Sequence, residues 1–459
     1  MFKGEDGVKF QDFTCPFPDL NGFSVVGRPP RVKSVLPMRT GWGFTLPLPK
    51  RVQNQFSYAT MAAHKIFNDP VYGFITIPRG IIMDLVAHPW FQRLRRIRQL
   101  GMTDFVYPGA LHTRFQHALG ALHLMQSTID VLRSKGVEIS DEESEAVQIA
   151  ILLHDIGHGP FSHVLEHTLL PYHHEVLSQA IMAELNRQFD GRLAMAMAIF
   201  ANTYPKPFLH QLVSGQLDMD RMDYLNRDSF FTGVHEGVIG YDRIVKMLHV
   251  VDGRLVVEEK GVYSIEKFLI ARRLMYWQVY LHKTVLAAEQ MLILLLSRLA
   301  RLYREGTRIP HSATLRAILD FPRDKSEPVR SILDAYARLD DIDIIHEMKE
   351  MRQSSDFLLR FLSSALLDRQ LFKVYLDRTP PPESLLEEAR EATRARFADQ
   401  TPDWASLIMT GEEESRAYLE GKDEILILKK SGRVVPYSDE TDSPIRERIT
   451  KKFYLIYPR

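Results

Sequence analysis

Between residues 80 and about 310, apolar positions recur at three- and four-residue spacing, and the stretches 142 to 155, 174 to 189 and 264 to 304 predict helices with at least one buried face. Ser140-Asp141 followed by Glu142 and Glu143 marks one helix start, because carboxylates are favoured at the positive end of the helix dipole. The helical period breaks at 250 to 257, where Val250-Val251 and Leu255-Val256-Val257 flank Asp252-Gly253 and predict a β-hairpin. Helical spacing returns from 312 to about 375. Pro380-Pro381-Pro382 reads as a linker, 383 to 398 as a helix, and Ile425 to Leu428 and Phe453 to Tyr457 as strands, with a turn at Ser431-Gly432. No internal repeat is present.

Residues 1 to 60 carry scattered prolines and no sustained period, so an irregular extension is expected there. Met61 directly precedes the more ordered pattern from Lys65 onward, and the native start is expected at Met61. The expected organisation is therefore an extension over 1–60, a helical core over 61–310, a helical extension over 311–380 and a small α/β subdomain over 381–459. The fold class is mainly α, with one small hairpin and a C-terminal α/β appendage.

Composition narrows the field only a little. With 459 residues, 45% apolar and 25% charged, the chain resembles an ordinary globular protein. Its formal net charge of zero gives no bulk attraction to nucleic acid or to an anionic membrane. Cys15 is the only cysteine, so no internal disulfide can form and a cytoplasmic location is expected. The longest apolar run, Met291 to Leu296, is closed by Ser297 and Arg298, well short of the roughly 20 residues that span a bilayer.

The histidines change the picture. Nine of the 17 (112, 117, 123, 154, 158, 163, 167, 173 and 174) fall within one 63-residue window. At its centre the apolar run Ala150-Ile151-Leu152-Leu153 leads directly into His154-Asp155-Ile156-Gly157-His158-Gly159-Pro160-Phe161-Ser162-His163. Ionisable groups beside a buried helix cost several kcal/mol unless a cation or a polar network compensates them, which points to a metal site. Imidazole with carboxylate suits Fe, Mn, Zn or Ni, and a mixed site has room for a second, harder ion such as Mg or Mn. His154, Asp155 and His158 can border one point at a helix end, leaving His117 and the acidic segment Asp218 to Asp228 to supply the remaining ligands.

These motifs, in this order, resemble the HD-domain phosphohydrolases, and within them the deoxynucleoside triphosphate (dNTP) triphosphohydrolase branch. The resemblance rests on Phe91 to Gly101, Tyr107 to His117, the His154 to His163 run, Asp218 to Asp228 and Tyr280 to Lys283. It implies a metal quartet of His117, His154, Asp155 and Asp220. It implies His163 as the acid that protonates the departing 5′ oxygen, Glu166 as the carboxylate behind that imidazole, and His158 and His174 as contacts to phosphate or a second ion. The resemblance departs at Glu166, where a similar family member carries aspartate. Gln99 and Asp228 fall where the family binds the sugar 3′-hydroxyl, Leu100 and Tyr280 where bulk excludes a 2′-hydroxyl, and Arg114, Arg221, Tyr224 and Arg272 where phosphates and sugar are held. The implied reaction converts a dNTP to a deoxynucleoside and triphosphate in a homo-oligomer, dimer or tetramer, regulated by a nucleotide bound near Gln92 and Arg95. Ala87 replaces a guanine-reading aspartate, so a guanine-specific activator is not implied.

Two rival functions remain on the sequence alone. One is an HD-type phosphomonoesterase or phosphodiesterase on another nucleotide, since a fold does not choose its substrate. The other is a nucleotide sensor or nucleic-acid-binding protein with vestigial hydrolysis. His112, His123 and His167 are read as structural histidines, the charged helix 387–396 as a solvated face, and Met195, Met197 and Met291 as core.

Overall fold

The computed structural model describes residues 64–459 other than 162, 163, 165, 167, 308, 310, 417–423 and 443–448. The expected 1–60 extension and His163 thus lie outside the described residues. No described helix is long and apolar enough to cross a membrane.

Six helices position the chemistry: α1 (Arg114–Ser134), α2 (Asp141–Leu153), α3 (His174–Gln188), α4 (Met219–Thr232), α5 (Val262–Met275) and α6 (Lys283–Arg304). α1 starts at a capping box in which the Gln116 side chain accepts from the Thr113 N–H. It buries Phe115, Ala118, Leu119, Ala121 and Leu122 and so runs through the interior. α2 is capped by Ser140 and Glu143, as its acidic first turn predicts, and its apolar end from Ala150 to Leu153 is fully buried. α4 starts at Asp218, whose carboxylate accepts from the Arg221 N–H at 2.7 Å, and stops at Gly233, whose φ of 74° suits glycine. α1 and α4 pack so closely that a Cβ on Gly120 would collide with the side chains of Asp223 and Arg227.

Among the described residues, nine strands form three small sheets. β1 (His64–Asp69) pairs with β2 (Gly73–Pro78). β3 (Leu248–Val251) and β4 (Arg254–Glu258) make the expected hairpin, with Asp252 and Gly253 both at positive φ as the Asp-Gly turn requires. β5 (Lys373–Asp377), β6 (Met409–Arg416) and β9 (Ile449–Tyr457) form one antiparallel sheet in the order β5-β9-β6. β7 (Leu426–Leu428) and β8 (Val434–Pro436) extend the β3-β4 hairpin instead, with β4 and β7 parallel and Val257 opposite Ile427.

Two local readings need correction. The helical stretch 264 to 304 is not continuous: α5 ends at Met275, a π-turn runs from Tyr276 to Tyr280, and α6 restarts with His282 as its N-cap. The apolar period continues across the break because both helices have buried apolar faces, whereas the break is fixed by backbone bonds such as Leu281 N–H to Tyr276 C=O, 2.8 Å. Lys373 to Asp377 is a strand rather than the end of a helical region, because every residue of it pairs with one in β9, from Lys373↔Tyr457 to Asp377↔Phe453.

Candidate metal centre

His117 sits one turn into α1, His154 and Asp155 follow the end of α2, and Asp220 lies in the first turn of α4. Their ligand atoms converge. His117 Nε2 lies 3.3 Å from His154 Nε2 and 3.1 Å from Asp220 Oδ1, and His154 Nε2 lies 3.4 Å from that same oxygen. Asp155 closes the group, with Oδ2 3.7 Å from His117 Nε2 and Oδ1 3.4 Å from His154 Nε2. Nitrogen and oxygen ligands at about 2.0–2.2 Å from one ion stand roughly 3.0–3.5 Å apart, so the spacing of His117, His154 and Asp220 fits a shared cation, with one oxygen of Asp155 beside each histidine.

The ring orientations fit as well. His117 Nδ1 faces Asp223 Oδ2 at 2.7 Å, and His154 Nδ1 faces the Ile151 carbonyl at 2.6 Å. With protons on those nitrogens, each Nε2 presents a lone pair to the same point, as a metal-ligating imidazole does. Without a cation, protons must balance the carboxylates. Burial disfavours charge on His117, but the hydrogen bonds it donates to Asp220 and Asp223 overcome it and push its pKa up to about 10. Burial opposes ionisation of Asp220 too, yet His117 and His154 hold it below the usual carboxylate range. A divalent cation would supply that positive charge in place of the protons.

A second group adjoins the first. The His158 Nε2 is 3.2 Å from Asp155 Oδ1, its ring stacks on His174 at 3.9 Å, and His174 Nδ1 is 2.8 Å from Glu166 Oε1. His158, Glu166 and His174 offer ligand atoms close enough to share an ion. Burial, then the nearby Arg114 guanidinium, holds the His158 pKa well below its ordinary value. The stretch between α2 and α3 is fixed locally: Ser178 Oγ donates to the His154 carbonyl and accepts from the Gly157 N–H, both at 2.9 Å. Gly157 packs against α3 so tightly that a Cβ would meet the His174 carbonyl and Ser178.

Some of the residues expected to hold substrate adjoin these groups. Arg114 is ion-paired with Asp155, and Arg221 with Asp218. Arg272 Nη1 reaches Gln216 Oε1 at 3.4 Å, and Arg221 and Arg272 act electrostatically on the part-buried Tyr224, whose hydroxyl pKa desolvation raises to about 12. Tyr280 donates to Asp228 Oδ2 at 2.8 Å and lies edge-on to Tyr224 at 6.1 Å. The Gln99 N–H donates to the His112 carbonyl at 3.0 Å, beside the part-buried Leu100. A cavity of about 410 Å³ opens beside Arg221, bordered by Gln216, Leu255 and Ile425.

Several supporting residues escaped the sequence reading. Asp223 is buried between His117 and Arg227, whose Nε and Nη2 each reach it at 2.9 Å, and Arg227 also meets Asp69 at 2.7 Å. The spacing of Asp223 and Arg227 at i, i+4 was visible, but their burial was not. Arg93 is buried and donates to the carbonyls of His158 and Leu339, both at 2.8 Å, while Tyr336 donates to Gly157 at 2.7 Å. Asp341 accepts from the N–H groups of Phe161 at 2.8 Å and Arg98 at 2.9 Å. No local sequence signal marks partners so far apart along the chain.

A mainly helical scaffold that brings His117, His154 and Asp220 together, with Asp155 beside them, defines a class of protein whose clustered imidazoles and carboxylates could hold a metal ion. Residues 114–228 match the HD domain, and 239–307 the HD associated region. The uncharacterized protein YwfO of Bacillus subtilis is 31% identical over 420 residues, which cover 87% of this chain and 93% of that protein. A phosphohydrolase crystal structure from Bacteroides thetaiotaomicron is 47% identical, superposes with a TM-score of 0.82, and is matched over 86% of this chain and 100% of its own. The deoxynucleoside triphosphate triphosphohydrolase SAMHD1 homolog of Dictyostelium discoideum is 31% identical over 259 residues, 52% of this chain and 50% of that protein. The chain belongs to the HD-domain phosphohydrolase family.

Proposed function

We propose that this protein hydrolyses dNTPs to deoxynucleoside and inorganic triphosphate. The observation that carries the reading is the convergence of His117, His154, Asp155 and Asp220 within one neighbourhood of α4 with Asp228 and Tyr224. The SAMHD1 relatives named as dNTP triphosphohydrolases support the substrate class.

The quartet would hold Fe, Mn, Zn or Ni, and His158, Glu166 and His174 a second ion such as Mg or Mn. When bound, the cation supplies Lewis acidity and lowers the pKa of coordinated water toward about 7. Arg114, Arg221 and Arg272 offset the triphosphate charge and orient the α-phosphorus for in-line attack by water. As the new P–O bond forms the attacking water releases a proton to solvent, the bond to the 5′ oxygen breaks, and His163, with Glu166 behind its imidazole, donates the proton that oxygen needs. Gln99 and Asp228 hydrogen-bond and orient the 3′-hydroxyl, Asp228 as the acceptor of its proton, while Leu100 and Tyr280 leave no room for a 2′-hydroxyl. The enzyme is proposed to work in the cytoplasm as a homo-oligomer, with Gln92 and Arg95 near a regulatory nucleotide.

Purified protein incubated with Mn or Mg and each dNTP, with products separated by anion exchange, tests the reading. Triphosphate and deoxynucleoside are expected. Release of pyrophosphate or phosphate in their place rejects the cleavage position.

A further inference from the structure

His112 lies two residues before α1, and its side chain is fully buried. Its ring stacks on Phe231 at 4.6 Å with planes 15° apart, which fixes the ring plane. In that plane Nε2 meets Asp228 Oδ1 at 2.7 Å. Nδ1 is buried without a hydrogen-bond partner among the described residues. A buried N–H without an acceptor costs more than a bare lone pair, so the proton belongs on Nε2, which donates to Asp228.

Asp228 is itself buried and accepts a second bond on the other oxygen, from the Tyr280 hydroxyl at 2.8 Å. Two donors, one on each oxygen, lock the carboxylate's rotation. Each oxygen keeps a further lone pair, so the group can accept from a ligand but has nothing to donate. The backbone of His112 extends the arrangement, because its carbonyl accepts from the Gln99 N–H at 3.0 Å. One residue thus ties Gln99 and Asp228 to each other across 129 positions of sequence.

We propose that His112 is a positioning residue that sets Asp228 and Gln99 as a receptor for a hydroxyl donor, the 3′-hydroxyl of the sugar. The inference rests on the dNTP reading and deepens it. Through His112 the protein separates nucleotides that carry a 3′-hydroxyl from those that lack one. A dideoxynucleotide leaves the carboxylate's free lone pairs buried and unmatched.

The test compares kcat/KM for a dNTP and for the matching 2′,3′-dideoxynucleotide in the parent, His112→Phe and His112→Gln. Phenylalanine keeps a ring against Phe231 but has no N–H, whereas the glutamine amide can still donate toward Asp228. In the parent, the ratio should favour the dNTP by about 10- to 100-fold, the worth of a hydrogen bond to a charged group. In His112→Phe the ratio should collapse toward unity, mainly through KM for the dNTP, and His112→Gln should restore most of it. An equal loss on both substrates, or an unchanged ratio, overturns the inference and leaves the hydrolase reading intact. Absence of dNTP turnover in the parent rejects both. Should His112→Phe fail to fold, His112→Asn, whose amide is too short to reach Asp228, must show the same collapse.

Discussion

Asp223→Asn is the perturbation that most cleanly separates the support of the metal centre from the centre itself. Asp223 touches no proposed substrate atom and is not one of the four converging ligands. It is fully buried between two donors, His117 Nδ1 at 2.7 Å and the Arg227 guanidinium at 2.9 Å twice. Asparagine keeps the shape but must turn its NH2 toward one of them, and either choice sets donor against donor. Losing the carboxylate partner of a ligating histidine weakens metal binding by about 10- to 100-fold, which is roughly 1.4–2.7 kcal/mol. Global stability should fall by an amount near the lower end of the roughly 3–5 kcal/mol typical of a broken buried pair, because Arg227 retains Asp69. Competition titration against a chelator measures the first quantity, and denaturant unfolding of the metal-free protein the second. If stability falls but metal affinity stays within about twofold of the parent, Asp223 is only a structural partner of Arg227 and the reasoning about His117 is refuted.

Three further outcomes follow from the structure. Burial raises the Asp341 pKa to about 6 from an ordinary 3.8, so between those values the folded state binds more protons than the unfolded state. Its contribution is complete below about pH 3.8 and is lost as pH rises through 6, a decline of up to about 3 kcal/mol in urea unfolding that Asp341→Asn should abolish; an unchanged slope in the variant refutes the assignment. Gly120→Ala, which drives a methyl group against Asp223 and Arg227, should cost about 1–3 kcal/mol and weaken metal binding with it, as calorimetry and metal titration would show. Tyr280→Ala opens space beside Asp228 and should admit ribonucleotides in a product assay, whereas unchanged selectivity would remove Tyr280 from the 2′-hydroxyl barrier.

What the chain disclosed in advance was what repeats locally. The apolar period located α2 and α3 to within a few residues, and the Asp252-Gly253 turn located the hairpin, because each is set by neighbours in sequence. His117, His154, Asp155 and Asp220 could be proposed together because of their chemistry and the family's motif order, not because any local rule joins α1, α2 and α4. The π-turn at Tyr276 to Tyr280 was hidden, since the apolar spacing runs on through a break that only backbone bonds reveal. β5 and β6 were hidden because their pairing with β9 bridges up to 84 residues, from Lys373 to Tyr457. The buried supports Arg93, Asp223, Tyr336 and Asp341 look like ordinary surface residues in sequence, and only the fold encloses them. His112 was read as a structural histidine, and its ring is packed like a core residue on Phe231 with Nε2 bonded to Asp228.

Anomalous diffraction at a transition-metal absorption edge, on crystals grown without added chelator, tests the central claim most directly. The account predicts a peak about 2.0–2.2 Å from His117 Nε2, His154 Nε2, Asp220 Oδ1 and an Asp155 oxygen. Active crystals with no anomalous density among those four side chains would contradict it.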